Sequence, residues 1–381
     1  MRCVLALLAF TCTLPALAAE QDAEAAAHKA SICGGMPTDI ERLACYDELF
    51  RITPEDTAAA DAAAAEAAQA LPPTTLTGLI EAYRKGEEAT QDEVLPVDGR
   101  RHAQALANAG RGSLLDRRWE LAKDSKLGVY NLRAYKPVYA LPFYWNSATN
   151  QNPESPNPNN TVEDGQHTQP IEGKFQLSFK TKLWENIFGD NGDLWGAYTQ
   201  SSHWQMFNSE ESRPFRETNY EPELMLVFRN RYHLLGWNGR MAGIGFNHQS
   251  NGRGDPESRS WNRIVANIGL DRGNWALMLR PWWRLPEGKR EDNNPDIEDY
   301  IGRGEAMLVY HRDGYELALT ARHSLRSGSR SHGALQLDWS FPLDGPLRGY
   351  VQIFDGYGES LIDYNHKATY LGLGISLIDW F

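Results

Sequence analysis

From about residue 130 to its end, the chain is a succession of short segments in which apolar and polar residues alternate. Phe175, Leu177 and Phe179 alternate with Lys174, Gln176, Ser178 and Lys180. Leu277, Leu279 and Pro281 alternate with Ala276, Met278 and Arg280; Leu335, Leu337, Trp339 and Phe341 with Gln336, Asp338 and Ser340; Leu371, Leu373, Ile375 and Leu377 oppose Gly372, Gly374 and Ser376. A period of two places successive side chains on opposite faces of a β-strand, so each segment presents one apolar and one polar face. The segments fall at about 130–146, 172–184, 192–206, 222–232, 239–250, 259–271, 273–285, 300–311, 314–323, 332–341, 347–356 and 368–381. Each is near the ~9–11 residues that a tilted membrane-crossing strand needs. Tight connections (Asp271-Arg272-Gly273, Arg312-Asp313-Gly314) alternate with long ones (286–299, 324–331), the habit of outer-membrane barrels. A soluble sandwich uses shorter strands, typically ~5–6 residues. The pattern predicts an all-β fold, a twelve-stranded antiparallel transmembrane β-barrel.

The start of the chain supports export. Arg2, an apolar run from Val4 to Leu17 and the small-residue site Ala16-Leu17-Ala18 form a secretory signal peptide over residues 1–19, cut after Ala18 or Ala19. The run is too short to span a bilayer as a helix, which takes ~20 residues, and no other apolar run of that length follows. A membrane protein built from this chain must then be a closed barrel, because only helices and barrels satisfy their backbone polar groups in lipid. Of four cysteines, Cys33 and Cys45 outlast the signal, and an exported pair is expected to form a disulfide. Residues 20–73 read as a small helical, cysteine-bearing segment and an Ala-rich helical or disordered spacer ending at Pro72-Pro73. Residues 74–129 read as a periplasmic lead-in to a barrel over 130–381. The formal net charge of −12 argues against nucleic acid as a partner. The 12 Trp and 16 Tyr suit aromatic girdles, with Trp282, Trp283, Trp339 and Trp380 as members.

One stretch carries chemistry. In GRMAGIGFNHQSNGRGDPESRSWNRIVANIGL (239–270), Ile244, Phe246, His248 and Ser250 share one strand face. After a Gly/Asp/Pro-rich turn, Asn262, Ile264, Ala266, Ile268 and Leu270 share another, with Arg263 and Asn267 opposite. A serine hydroxyl is a weak nucleophile until a neighbouring base takes its proton; His248 stands two residues away on the same face. Asn262 can orient that base through its side-chain oxygen, without the charge an aspartate would bring. A His-x-Ser on a strand is ordinarily a packed polar pair. On a face turned to hydrocarbon the balance reverses, because unpaired polar groups there are costly. The turn Asn251-Gly252-Arg253-Gly254 offers backbone donors for an oxyanion, and Ser258, Asp255 and backbone carbonyls offer oxygens to a hard cation. His203, His233 and His311 read as structural or solvated.

The blocks FNHQSNGRGDPESRSWNR (246–263), ESRPFRETNYEP (211–222), DNNPDIEDY (292–300) and GYGESLIDYN (356–365), with the chain ending at Phe381, resemble outer-membrane phospholipase A of Gram-negative bacteria. The resemblance spans residues 130–381 and leaves the segment 20–110 outside it. It implies a twelve-stranded barrel whose active site faces outward, calcium dependence, and activation when two barrels associate. By the same resemblance His248 is the base, Ser250 the nucleophile and Asn262 the third member, where an acid usually stands. The Gly252 amide is the oxyanion donor, and Ser258 with the Arg253 carbonyl are calcium ligands. Ser212 is the hydroxyl that a neighbouring copy adds, and Gln200 a polar group at the dimer interface. One calcium ion per monomer, completed in the homodimer, is implied; with so few charged ligands its affinity should be weak, ~10⁻⁴ M or poorer.

The resulting expectation is an outer-membrane phospholipase A1/A2 acting on phospholipids and lysophospholipids through an acyl-enzyme at Ser250. The alternatives are a passive porin or structural barrel, and a lipid acyltransferase using the same acyl-enzyme, since water and an alcohol compete for one intermediate.

Overall fold

In a computed structural model, the structure describes residues 93–95 and 112–381, apart from 123–125, 289, 344 and 346. The expected signal peptide, the Cys33–Cys45 disulfide and the Ala-rich spacer lie outside the described residues. Twelve antiparallel strands form the wall: β1 Val138–Asn146, β2 Ile171–Trp184, β3 Asp193–Trp204, β4 Phe215–Leu234, β5 Trp237–Ser250 and β6 Ser260–Arg272. They continue as β7 Trp275–Arg284, β8 Gly304–Arg312, β9 Tyr315–His323, β10 Gly333–Pro342, β11 Arg348–Tyr357 and β12 Lys367–Ile378. Each pairs with its sequence neighbours, and β12 pairs with β1, which closes the ring and leaves no free edge. A barrel of this kind needs every strand to carry lipid on one side and its own contents on the other, which is what the period-two sequence specifies.

Two boundaries differ from the sequence reading. The first wall strand begins at Val138, after Pro137; Leu132–Ala134 forms a separate short strand between Glu93–Leu95 and β2. β4 begins at Phe215 rather than 222. Its early half, Arg216 to Glu223, is so rich in charge that it reads as loop, yet Glu217, Asn219 and Glu223 point inward and are buried. A polar lumen inverts the usual hydropathy of a buried face.

The lumen is filled. Glu172 accepts from Arg216 at 2.9 Å and from Gln205 at 2.9 Å, and its other oxygen lies 2.8 Å from His203 Nδ1. Lys174 reaches Glu359 at 2.6 Å, and Arg216 reaches Asp363 at 2.7 Å. His203 is thus structural, as its position in the sequence suggests. A cavity of about 170 Å³ is lined by Lys136, Lys174, Glu221, Glu305 and Arg322 among others. The short-turn end is stoppered by a helix, α1 (Leu114–Trp119), which begins with a reciprocal Ser113/Asp116 capping box. It buries Leu115 and Trp119 against Trp195 and Tyr135, and the Lys180 ammonium lies 3.4 Å above the Trp119 ring. The chain end folds back there too: the amides of Trp380 and Phe381 donate to the Glu316 carboxylate at 2.8 and 2.9 Å.

Outside, Ile244, Phe246, Leu335, Leu371 and Leu373 are exposed on the face a bilayer would cover. Trp283 and Trp339 are exposed as girdle residues should be, but Trp282 is not. Its even position on β7 turns it inward, where its indole donates to the Gly302 carbonyl at 2.8 Å and packs edge-on to Trp261.

Candidate active site

β5 and β6 form a hairpin in register, with His248 opposite Asn262, Ser250 opposite Ser260, and Asn247 opposite Arg263. Alternation does the rest. Asn247 and Arg263 are buried in the lumen, bonded to each other and to Glu221. His248, Ser250 and Asn262 are half-exposed on the same side as Ile244 and Phe246, the hydrocarbon side. The register puts His248 Nδ1 2.8 Å from Asn262 Oδ1. With a proton on Nδ1 the asparagine oxygen accepts, which leaves Nε2 free to take a proton. Ser250 lies two residues along β5 on that face, ~7 Å from His248 along the strand. Its hydroxyl and the imidazole are not hydrogen-bonded among the described residues, a looseness common before substrate binds.

The loop after Ser250 is tied down by Asn251. Its amide donates to the Glu257 carbonyl at 2.8 Å and to Glu217 at 3.3 Å, while its oxygen accepts from the Arg259 amide at 3.0 Å. This holds Gly252 at φ +65°, where a Cβ would sit 3.1 Å from the Tyr220 ring, so a side chain would meet both backbone strain and a neighbour. The Gly252 amide makes no hydrogen bond among the described residues, and Gly252 follows Ser250 by two residues.

The predicted calcium ligands are less gathered. The Arg253 guanidinium clamps the carbonyls of Phe215 and Arg216 at 2.8 and 2.7 Å and Glu257 at 2.7 Å. That fixes the backbone there and leaves the Arg253 carbonyl without a donor among the described residues. The Ser258 hydroxyl accepts from Asn293, and the Ser258 carbonyl accepts from Arg259 at 2.8 Å. Two neutral oxygens suit a hard cation in kind but fall short of the six to eight that calcium takes. Ser212 does not complete the set from within the chain. It lies at φ +57° in the exposed turn between β3 and β4, with no hydrogen bond to Ser258 or Arg253 among the described residues. Gln200 stands on the outer face of β3, where it accepts from the Tyr198 hydroxyl at 3.1 Å and donates to Ser202 at 3.3 Å. Thr218 on β4 extends this row to Ser202 at 3.1 Å.

The sequence reading missed one residue in contact with these. Glu287, in the connection after β7, accepts from Asn262 Nδ2 at 3.1 Å. Nothing in its spacing announces this, since 25 residues separate the two; only pairing of β6 with β7 brings them together.

The family described as Phospholipase A1 matches this chain over residues 115–377. A protein of Neisseria meningitidis serogroup B that carries the phospholipase A1 name provisionally is 37% identical over 91% of this chain and 90% of its own length. Phospholipase A1 of Escherichia coli strain K12 is 44% identical over 55% of this chain and 71% of its own. A solved structure of the Salmonella typhi outer membrane phospholipase dimer with bound calcium superposes with TM-score 0.61 at 38% identity, over 71% of this chain and 99% of that one.

Proposed function

We infer the function from one premise: the chain belongs to the phospholipase A1 family. It is a phospholipase of the outer membrane, and the finer reading is a calcium-dependent serine hydrolase with A1 and A2 activity, acting through Ser250, His248 and Asn262. The observation that carries it is the hydrogen-bonded His248–Asn262 pair beside Ser250 on the hydrocarbon side of the wall. Polar groups are costly there and meet acyl esters rather than soluble solutes.

In the proposed reaction the Ser250 oxygen attacks the acyl carbonyl as His248 Nε2 takes its proton. Asn262 Oδ1 accepts from Nδ1–H and keeps the imidazolium oriented. The Gly252 amide donates to the oxyanion. As the ester C–O bond breaks, Nε2–H returns the proton to the departing glyceryl oxygen; water, activated in the same way, then releases the fatty acid and free Ser250. A calcium ion held by the Arg253 carbonyl and Ser258, and completed by Ser212 of a second copy, would add positive potential at the oxyanion. That division of ligands makes the monomer idle and the homodimer active, a sensible restraint on an enzyme surrounded by its substrate. The relative solved as a calcium-bound dimer supports this reading. Pairing would run along the Gln200 row, since apolar faces alone gain little by meeting in lipid.

A filled lumen argues against the passive porin. Lipid turnover in mixed micelles, with and without calcium and scored alongside crosslinking, tests the proposal. Fatty-acid release that needs calcium, rises with the crosslinked dimer and stops after a sulfonyl fluoride labels Ser250 is expected. Calcium-independent release, or release by Ser250→Ala, refutes it. A product in which the acyl group resides on another lipid instead of water identifies the acyltransferase. The signal peptide over 1–19, the Cys33–Cys45 disulfide, the helical segment and spacer of 20–73 and the periplasmic lead-in of 74–129 belong to the same proposal; mass spectrometry of the mature protein tests the first two.

A further inference from the structure

The proposed series Ser250–His248–Asn262 ends in a neutral amide, but the hydrogen bonds do not end there. Asn262 Nδ2 donates to Glu287 Oε1 at 3.1 Å. The backbone holds the two together, because the Leu285 amide donates to the Asn262 carbonyl at 2.8 Å. Arg284, 3.8 Å from Glu287 and 2.6 Å from Asp292, braces the carboxylate from its own side. Glu287 is half-buried in this arrangement.

We propose that Glu287 is a positioning residue for the esterase reaction: it fixes which way the Asn262 amide faces and supplies the negative charge that the asparagine lacks. The inference rests on the triad reading above. An asparagine amide can turn by half a revolution and exchange its oxygen for its nitrogen. A carboxylate only accepts, so Glu287 holds Nδ2 toward itself and leaves Oδ1 for His248 Nδ1–H. With the amide reversed, an N–H would face an N–H and an oxygen would face a carboxylate. The bonds therefore all run one way, from imidazole to amide to carboxylate, with a full charge at the far end to offset the imidazolium formed during the reaction. Burial pushes the Glu287 carboxyl above its usual range, aided by Asp292 and opposed by Arg284, the Asn262 bond and His248.

The test compares wild type, Glu287→Gln, Glu287→Ala, Asn262→Asp, the Asn262→Asp/Glu287→Gln pair and Ser250→Ala. All are refolded full-length in mixed micelles at saturating calcium, with folding checked by heat-modifiable gel mobility. Glu287→Gln should lower kcat roughly 10-fold, with KM and the calcium requirement unchanged. The acidic limb of kcat/KM should move to lower pH, because the variant removes a negative charge that would offset the imidazolium formed during the reaction. The paired variant should recover most of the rate, since its new carboxylate touches the imidazole directly, whereas Asn262→Asp alone sets two carboxylates face to face and should be slower than the pair. If Glu287→Gln and Glu287→Ala both keep wild-type kcat and an unmoved limb while Ser250→Ala is inactive, the inference about Glu287 fails alone. A rate loss with no shift of the limb and no recovery in the pair means Glu287 merely supports its loop, which also overturns it. Activity in Ser250→Ala overturns the triad reading beneath it.

Discussion

The two faces of this wall are chemically opposite. The inner face carries Glu172, Lys174, Lys180, Arg216, Glu217, Glu223 and Arg263, all buried, and most are ion-paired, in one group around Glu172 and Arg216 and another around Glu221 and Glu223. The outer face is largely apolar, and the polar groups described on it include the Tyr198–Gln200–Ser202–Thr218 row and the His248–Ser250–Asn262 group with Glu287 at its margin. Inside, most charges are compensated by an opposite one, and these pairs hold the strands together. Outside, a polar group next to hydrocarbon has no such return. In the proposed reading, what stands there serves reaction or association.

That contrast breaks most sharply at Ser250. Ser250→Ala should lower phospholipid hydrolysis by at least ~10⁴-fold while leaving unfolding in denaturant where it was; equal losses of both would erase the distinction. The mirror experiment is Glu172→Ala, which removes one of the two carboxylates paired with Arg216 and should destabilise the barrel by about 3 kcal/mol in denaturant titrations, with activity per folded molecule kept. The acid response sharpens the inner side further. Burial pushes the Glu359 carboxyl up, but the His203 ring and the Lys174 ammonium outweigh it and bring it down to about 2. A depressed carboxylate contributes stability that is present above its unfolded value of 4.5 and lost as pH falls toward about 2. Melting temperature should therefore drop over that window, by less in Lys174→Met. On the outer face Asn262→Ala should cost about 10- to 100-fold in kcat with no change in melting. Gln200→Leu should do least, weakening the detergent-solubilised dimer by about 1 kcal/mol, seen as a shifted crosslinking midpoint.

How much of this is legible beforehand follows the same division. The outward faces of the strands are mostly apolar, so alternation announces the wall, and the fixed two-residue spacing of His248 and Ser250 declares their common side. The first half of β4 is hidden because a charged lumen makes Arg216–Glu223 look like loop. Trp282 misleads for a related reason: aromatic residues suit both the girdle and the interior, and only register tells which. Glu287 and α1 depend on contacts between distant parts of the chain, which no local pattern encodes. The proposed calcium ligands are legible as oxygen-bearing residues, but the described residues of one chain bring together too few of them to form a finished site.

One consequence of the hairpin register reaches further. Slide β5 past β6 by a single residue and His248 no longer meets Asn262, while every alternate side chain changes sides. Arg263 would then face acyl chains, an exchange no bilayer tolerates cheaply. The grip of Arg263 on Asn247 and Glu221 thus acts as a gauge block, keeping the proposed trio aligned from behind the sheet that bears it. A designer could redraw the exterior chemistry freely, provided those three interior partners were left alone.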